Sequence, residues 1–402
     1  MPAALLRASP LLRDGRALLD ADRLVHAGVA DRRASFELAF AAMPPHAGFL
    51  VVAGVEAALE ALAADGARFD AAAVAAARAA CGLSDALEER LAGATLSVDI
   101  DAMPDGTIAF PGTPVASVEG PFVEALLVGA LLAPALRRGT AAATRAARLH
   151  IAAGGGDVID GSSASVPFAD EALALARAAH VGGAAATTSA LAATALGIPF
   201  RGEAGIDLGE LAPPPSPLEG RWPWYADRMI DLGGDDEEAL LLEARRVGAS
   251  AGGWVASGLG EAVEGLPAAR CELVALEEAG AWALRQGTSD RGDVIAGRKM
   301  VARYYDEAGR AAFDVIHLAH ERMLAPRALG VARLAPLARA AMRGGRALES
   351  PEPASAGRER SLAGRQQLPD AVAHLRAPAR YPVQFSPALI ALREPDPPGV
   401  LR

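Results

Sequence analysis

Lysine is almost missing from this chain: Lys299 is the only one among its 39 basic residues. Arginine in its place, with so much alanine, reads as a genomic composition bias rather than a functional choice. Cysteine is nearly as scarce. Cys81 and Cys271 lie far apart with no CxxC or histidine-rich spacing, which excludes a disulfide framework or a structural zinc and implies a reducing cytoplasm. An excess of positive charge is absent too. The net charge of −10 argues against nucleic acid as a partner, because phosphate binding needs a concentrated basic face. Long apolar runs are also wanting: the best, 122–135, is broken by Glu124 and Pro134 and is too short to span a bilayer. The opening "MPAALLRASPLLRDGR" is interrupted by Arg7, Pro10 and Arg13, which does not suit a secretory signal. A soluble, cytoplasmic protein with no membrane partner is the expectation.

What is present is enough to bury a large core: 402 residues, 51% of them hydrophobic. That length predicts two or three domains, or one large α/β unit with an appendage. "ASFELAF" (34–40) alternates as a half-buried strand does, and "VEAALEALAADG" has helical period with a glycine stop. "LSVDIDAMPDGTIAFPGTPVASVEG" reads as a hairpin turning at Pro104–Gly106, followed by a further strand. Two helices follow, "EGPFVEALLVGALLAPAL" and "GTAAATRAARLHIAAGGG". From Asp157 the texture changes to βα units: "DVID", "HVGGAAATTS", "GIPFRGE", "DRMIDL" and "GGWVASG" alternate with alanine-rich helices, and "APPPSP" makes a stiff loop. About five strands fall short of the eight that a closed barrel needs. After Gly258 come two long hairpins, "CELVALEEAGAWALRQG" and "RKMVARYYDEAGRAAFDVIHLA", then a Pro/Arg-rich tail with a short helix. The fold class expected is α/β (α+β overall). It has a strand-rich domain over 1–138, an irregular, truncated α/β barrel over 139–262 and a β-rich extension over 263–402.

The stretch Asp157–Asp170, "DVIDGSSASVPFAD", has the layout of a strand end opening into a helix, where α/β enzymes hold anionic substrates. Yet between its acids the loop offers only glycine, serine, alanine, valine, proline and phenylalanine, with no cation.

Several segments, in order, resemble the nicotinate phosphoribosyltransferases. They are "ADRRASFELAF", "PPHAGFLVVAGVEAALEAL", "FPGTPVASVEGPFVEALLVGALL", "ATRAAR", "ARAAHVGG", "GRKMVARYYDEAGRAAFDVIHLA" and "PARYPVQFSPAL". The resemblance implies a strand-rich amino-terminal domain, an irregular barrel, a β-rich extension, and a dimer with active sites between subunits. It also implies a reaction: nicotinate joined to phosphoribosyl pyrophosphate (PRPP) with Mg²⁺ and ATP hydrolysis. That chemistry asks for a stacking ring and a cation for the acceptor, charge stabilisation at the pyrophosphate, and a phosphorylatable histidine.

Motif by motif, the charged members are missing. In the family's Thr-Asp-x-Tyr signature Asp14 matches, but Arg16 stands at the tyrosine. It either stacks on a ring or binds a carboxylate, or is simply an exposed arginine near a terminus. The two arginines of Asp-Phe-Gly-x-Arg-Arg fall on Ala164 and Ser165. The tyrosine before Ile-Gly-Gly is His180, at an expected strand start where a structural role competes with a catalytic one. Gly-Thr-Ser-Asn becomes "ATTS", leaving Thr187, Thr188 and Ser189 as hydroxyl donors or as a helix cap. The phosphorylatable histidine position is Ile206, with Asp207 at the following serine. Further on, Asp231, Ser257 and Gly258 survive where neighbouring carboxylates do not; Gly234 stands at one of them. The phosphate cradle Gly-Val-Gly-Thr has no counterpart, "GLGEAVEG" (258–265) reading as a turn, and the chain is several tens of residues short before "CELV".

Two readings follow. In one, the protein is a catalytically dead or much altered relative that partners itself or an intact homologue. In the other, it is an active transferase using a different aromatic acceptor, with Asp14, Arg16, His180, Thr187, Thr188, Asp231, Ser257 and Gly258 in makeshift roles. Mg²⁺, PRPP and ATP are expected only if the family reaction survives; no resident metal is expected.

Overall fold

A computed structural model describes residues 10–44, 46–64, 67–202, 229–233, 236–249, 251–266, 269–285, 295–392 and 400–401. The first third lays down α1 (Gly15–His26), β1 (Arg33–Phe40), β2 (Leu50–Val51), α2 (Val55–Ala64), α3 (Ala71–Cys81) and α4 (Asp85–Leu91). β3 (Asp99–Ala102), β4 (Ile108–Ala109) and β5 (Pro114–Pro121) follow. Asp14, Asp70 and Ser84 cap α1, α3 and α4, accepting backbone N–H bonds that a helix start leaves without partners.

β1 forms where the alternation predicts, but it is buried on both faces rather than one. Ser35 and Glu37, its polar residues, are 1% and 6% exposed. Lys299 reaches Glu37 at 2.9 Å from the start of a later strand and neutralises the buried carboxylate. The hairpin expected across Pro104–Gly106 does not form. β3 pairs with β5, and β4 pairs with β2. The turn is captured from outside: Val55 N donates to Asp105 Oδ1 at 3.0 Å, and Gly106 N donates to Val52 O at 2.7 Å.

The two helices expected after β5 are one, α5 (Phe122–Ala153). Gly139 does not stop it, because it marks a close approach instead: a Cβ there would lie 2.5 Å from Ala53 O. Next to it, the Thr140 and Thr144 hydroxyls accept from Ala53 N and Val51 N at 3.2 and 3.0 Å. Pro134 forfeits one helical bond, and buried Leu131, Leu132 and Leu136 hold the helix around it.

β6 (Val158–Asp160), α6 (Ala169–Gly182), β7 (Ala186–Thr187), α7 (Ala190–Leu196), β8 (Met229–Asp231), α8 (Glu237–Arg246) and β9 (Gly253–Ala256) make the βα region. Its strands are all parallel, in the order β7-β6-β9-β8. The expected strand "HVGGAAATTS" forms only at β7, because its first residues run from the last turn of α6 into its C-cap, as an alanine-rich run favours helix. "GIPFRGE" supplies only a bridge from Phe200 to Thr187. "GLGEAVEG", read as a turn, is a 3₁₀ segment, Gly258–Gly265.

The last part contains β10 (Ala269–Glu278), β11 (Ala281–Arg285), β12 (Lys299–Tyr305), β13 (Ala311–Leu318), β14 (Arg333–Pro336), β15 (Arg339–Arg343) and β16 (Arg346–Ala347). α9 (Ala354–Gln366), α10 (Asp370–Ala373), β17 (Val383–Phe385), α11 (Pro387–Ala391) and β18 (Val400–Leu401) complete it. Both expected hairpins form, β10–β11 and β12–β13. An eight-stranded sheet, β16-β15-β3-β5-β1-β10-β11-β18, takes strands from both ends of the chain, and a second sheet runs β14-β12-β13-β17. A buried ion pair pins the second sheet. Arg303 donates to both oxygens of Asp314 at 2.8 Å, Tyr381 donates to the same carboxylate, and the Tyr381 ring stacks on Phe110 at 4.0 Å.

Candidate functional site

The four parallel strands end together, and the carboxyl ends of parallel strands are where α/β sheets place their ligand-binding loops. Asp160 closes β6 there, fully buried. Its Oδ1 accepts from Ser162 N at 3.1 Å and Ser162 Oγ at 2.5 Å; its Oδ2 accepts from Thr187 Oγ1 at 2.8 Å. Burial pushes the Asp160 carboxyl above the usual range, while the Ser162 and Thr187 bonds hold it back. The Asp-x-Ser spacing makes a local turn of the kind aspartate favours, so the carboxylate is spent on shaping its own loop.

The loop then leans on β9. A Cβ at Gly161 would lie 2.7 Å from Val255 Cγ1 and 3.1 Å from Ser257 Oγ, and one at Gly260 would lie 3.5 Å from Ser165 Oγ. The loops after β6 and β9 therefore pack against each other at the carboxyl end of the strands. Ala164 and Ser165 face solvent and carry no charge. Arginines that approach this end are already held: Arg138 by Glu171 of α6, and Arg145 by buried Glu237 at 3.1 Å. Glu237 also accepts from Gly258 N at 3.0 Å.

Of the residues singled out in the sequence, Thr187, Thr188, Asp231, Ser257 and Gly258 come together at this end. Thr188 Oγ1 lies 3.4 Å from Ser163 Oγ, half-exposed at the mouth. Asp231 Oδ1 accepts from Gly233 N at 2.9 Å and Ser257 Oγ at 3.3 Å. Ser189 caps α7, accepting from Ala192 N at 3.2 Å. Asp14 is elsewhere, as the cap of α1, with Arg16 exposed in that helix's first turn. His180 is not at a strand start: it lies in the last turn of α6, beyond the opposite end of β7, with its Nδ1 2.8 Å from Ala184 O. Ile206, Asp207 and Gly234 lie outside the described residues. Glu237 and Arg145 are not among the residues singled out in the sequence, and Asp160 and Ser162 enter there only as part of the Asp157–Asp170 stretch.

No group of three or more histidines, cysteines or acids that could hold a metal occurs among the described residues. Asp160 and Asp231, the acids at these strand ends, are engaged with protein donors, so the set does not fit a resident Mg²⁺. No helix among the described residues is long and apolar enough to cross a membrane.

Comparison with known proteins places this architecture. The nicotinate phosphoribosyltransferase C-terminal domain matches residues 298–393. Nicotinate phosphoribosyltransferase pncB2 of Mycobacterium tuberculosis (strain ATCC 25618 / H37Rv) is 34% identical over 169 residues, which are 42% of this chain and 36% of that protein. The Bacillus subtilis (strain 168) nicotinate phosphoribosyltransferase is 30% identical over 175 residues, 44% of this chain and 35% of that protein. The chain thus spans little more than a third of the curated relatives it matches. In fold, the crystal structure of human nicotinic acid phosphoribosyltransferase matches with a TM-score of 0.75 at 18% identity, over 94% of this chain and 99% of that one. A nicotinate-nucleotide pyrophosphorylase from Pyrococcus furiosus matches at 0.60 and 16% identity, over 87% and 93%. The chain thus matches the nicotinate phosphoribosyltransferase C-terminal domain at residues 298–393 and shares the fold of the human nicotinic acid phosphoribosyltransferase structure.

Proposed function

We propose that this protein is a nicotinate phosphoribosyltransferase-like protein that makes nicotinate mononucleotide weakly or not at all and works through association with a second subunit. One observation carries the reading: at the carboxyl end of the parallel strands the acids and arginines among the described residues are engaged with one another or with the loops. A transferase must stabilise a departing pyrophosphate with cations or metal aimed at the developing charge. Here Ala164 and Ser165 supply none, Arg138 and Arg145 are held by Glu171 and Glu237, and the β6 and β9 loops pack against each other. What these residues do is shape the loop: Asp160 fixes Ser162 and Thr187, and Glu237 fixes the Gly258 turn. Phe168 and Leu191, 71% and 45% exposed near the same end, are apolar groups that a second copy or an intact homologue would cover.

A second reading, an active transferase with a different aromatic acceptor, draws support from the half-exposed Ser163 and Thr188 hydroxyls, which face the mouth of the site. Product formation separates the two. Purified protein with nicotinate, PRPP, Mg²⁺ and ATP is expected to give nicotinate mononucleotide no faster than a protein-free control. Sustained turnover with nicotinate, or with another pyridine or aromatic acid, would overturn the first reading.

A further inference from the structure

The positive charge missing from the β6 loop is concentrated at the other end of the strands. His150 in the last turn of α5, His180 in the last turn of α6, and Arg358 and Arg365 of α9 converge beside Gly183, just before β7. A Cβ on Gly183 would lie 3.0 Å from Arg365 Nη2 and 3.3 Å from His150 Cγ, so the glycine is what lets these groups meet over the backbone. Arg365 is 8% exposed. Its Nη1 donates to Ala147 O at 2.9 Å, while its Nε and Nη2 are buried without a partner. Arg358 is half-buried and, among the described residues, donates to carbonyls alone, Ala184 O at 3.3 Å and Gly183 O at 3.5 Å.

No carboxylate among the described residues pairs with Arg358 or Arg365. Asp157, whose charge reaches His150, is itself held by Arg201 at 2.8 Å. The groups repel one another as well as being desolvated. Burial, then the charges of Arg365 and Arg358, push His150 down to about 4. Burial and Arg358 push His180 down to about 4 and Arg365 to about 10. An uncompensated buried guanidinium is costly, and Nε and Nη2 of Arg365, buried without an acceptor among the described residues, form the two-pronged fork that pairs with an oxyanion.

We propose that this cluster is an anion site for a phosphoryl group, set by Arg365 and Arg358 with His150 and His180 at its rim, at the opposite end of the parallel strands from the candidate active site. Inorganic phosphate and the terminal phosphate of a nucleotide share the chemistry. Half-exposed His150 and Arg358 form the approach from solvent.

Thermal unfolding of the full chain, at constant ionic strength with chloride as the control, tests it. Inorganic phosphate is expected to raise Tm by roughly 3 °C at saturation, and ATP without Mg²⁺ is the second arm. A larger shift with ATP assigns the site to nucleotide phosphates, and a shift with phosphate alone assigns it to the free ion. Arg365→Met should abolish the shift while leaving Tm in chloride unchanged or higher, because it removes a buried charge. Should that variant not fold, Arg358→Ala, at a half-buried position, should still reduce the shift at least twofold. Wild type with no shift, or shifts equal in wild type and variants, would overturn the proposal. Neither result depends on whether the protein makes nicotinate mononucleotide.

Discussion

Asp105 shows how one side chain can redirect a segment of the fold. Sequence places it in a hairpin turn, yet its Oδ1 serves the start of α2 and its Oδ2 is buried without a partner. Burial, then the charge of Glu56, push its carboxyl up to about 6, while Val55 N and Arg177 draw it back. The folded state therefore holds this proton more tightly than the unfolded chain does. The stability it contributes is full below about pH 4 and is lost as pH rises to 6, an effect of roughly 3 kcal/mol. Denaturant unfolding of wild type and Asp105→Asn between pH 4 and 7 should show the variant gaining on wild type as pH rises. A constant difference across that range would contradict the account. Asp160, by contrast, has every oxygen partnered, which is why it organises its loop rather than offering a free carboxylate.

At the scale of elements, the parts legible in sequence were those whose pattern is local. The β10–β11 and β12–β13 hairpins, β1 and α2 lie where alternation or helical period predicts them. What was hidden depends on partners far away in sequence. The sequence divides at Gly139 into two helices, but in the single α5 its missing side chain admits the Ala53 carbonyl. "HVGGAAATTS" reads as one strand, yet its valine and first glycine complete α6 and only Ala186–Thr187 form β7. The polar face of β1 reads as solvent-facing until Lys299 arrives from the other sheet. Of the candidate site residues, Thr187, Thr188, Asp231, Ser257 and Gly258 lie together at the strand ends, whereas Asp14 caps α1 and His180 lies in the last turn of α6, elements whose direction the sequence does not reveal. Gly139→Val tests the α5 contact. Overpacking against a backbone carbonyl should cost about 2–4 kcal/mol, read as a lowered denaturation midpoint with an unchanged slope. A variant as stable as wild type would show that the approach is not needed.

For the whole molecule, the segments that resemble active relatives are those that hold the sheets together. "GRKMVARYYDE" and "PARYPVQFSP" supply Arg303 and Tyr381, which meet at buried Asp314. Packing groups of the right size and polarity suffice to keep a fold, while transfer chemistry needs particular charges at one end of one sheet, and fold alone does not carry it. The most direct test is a crystal of the protein soaked with PRPP and Mg²⁺. The account predicts no ordered PRPP beside Ser162–Ser165, even if a phosphoryl group binds near Arg365. PRPP seated against that loop, with its pyrophosphate held by protein groups or Mg²⁺, would contradict it.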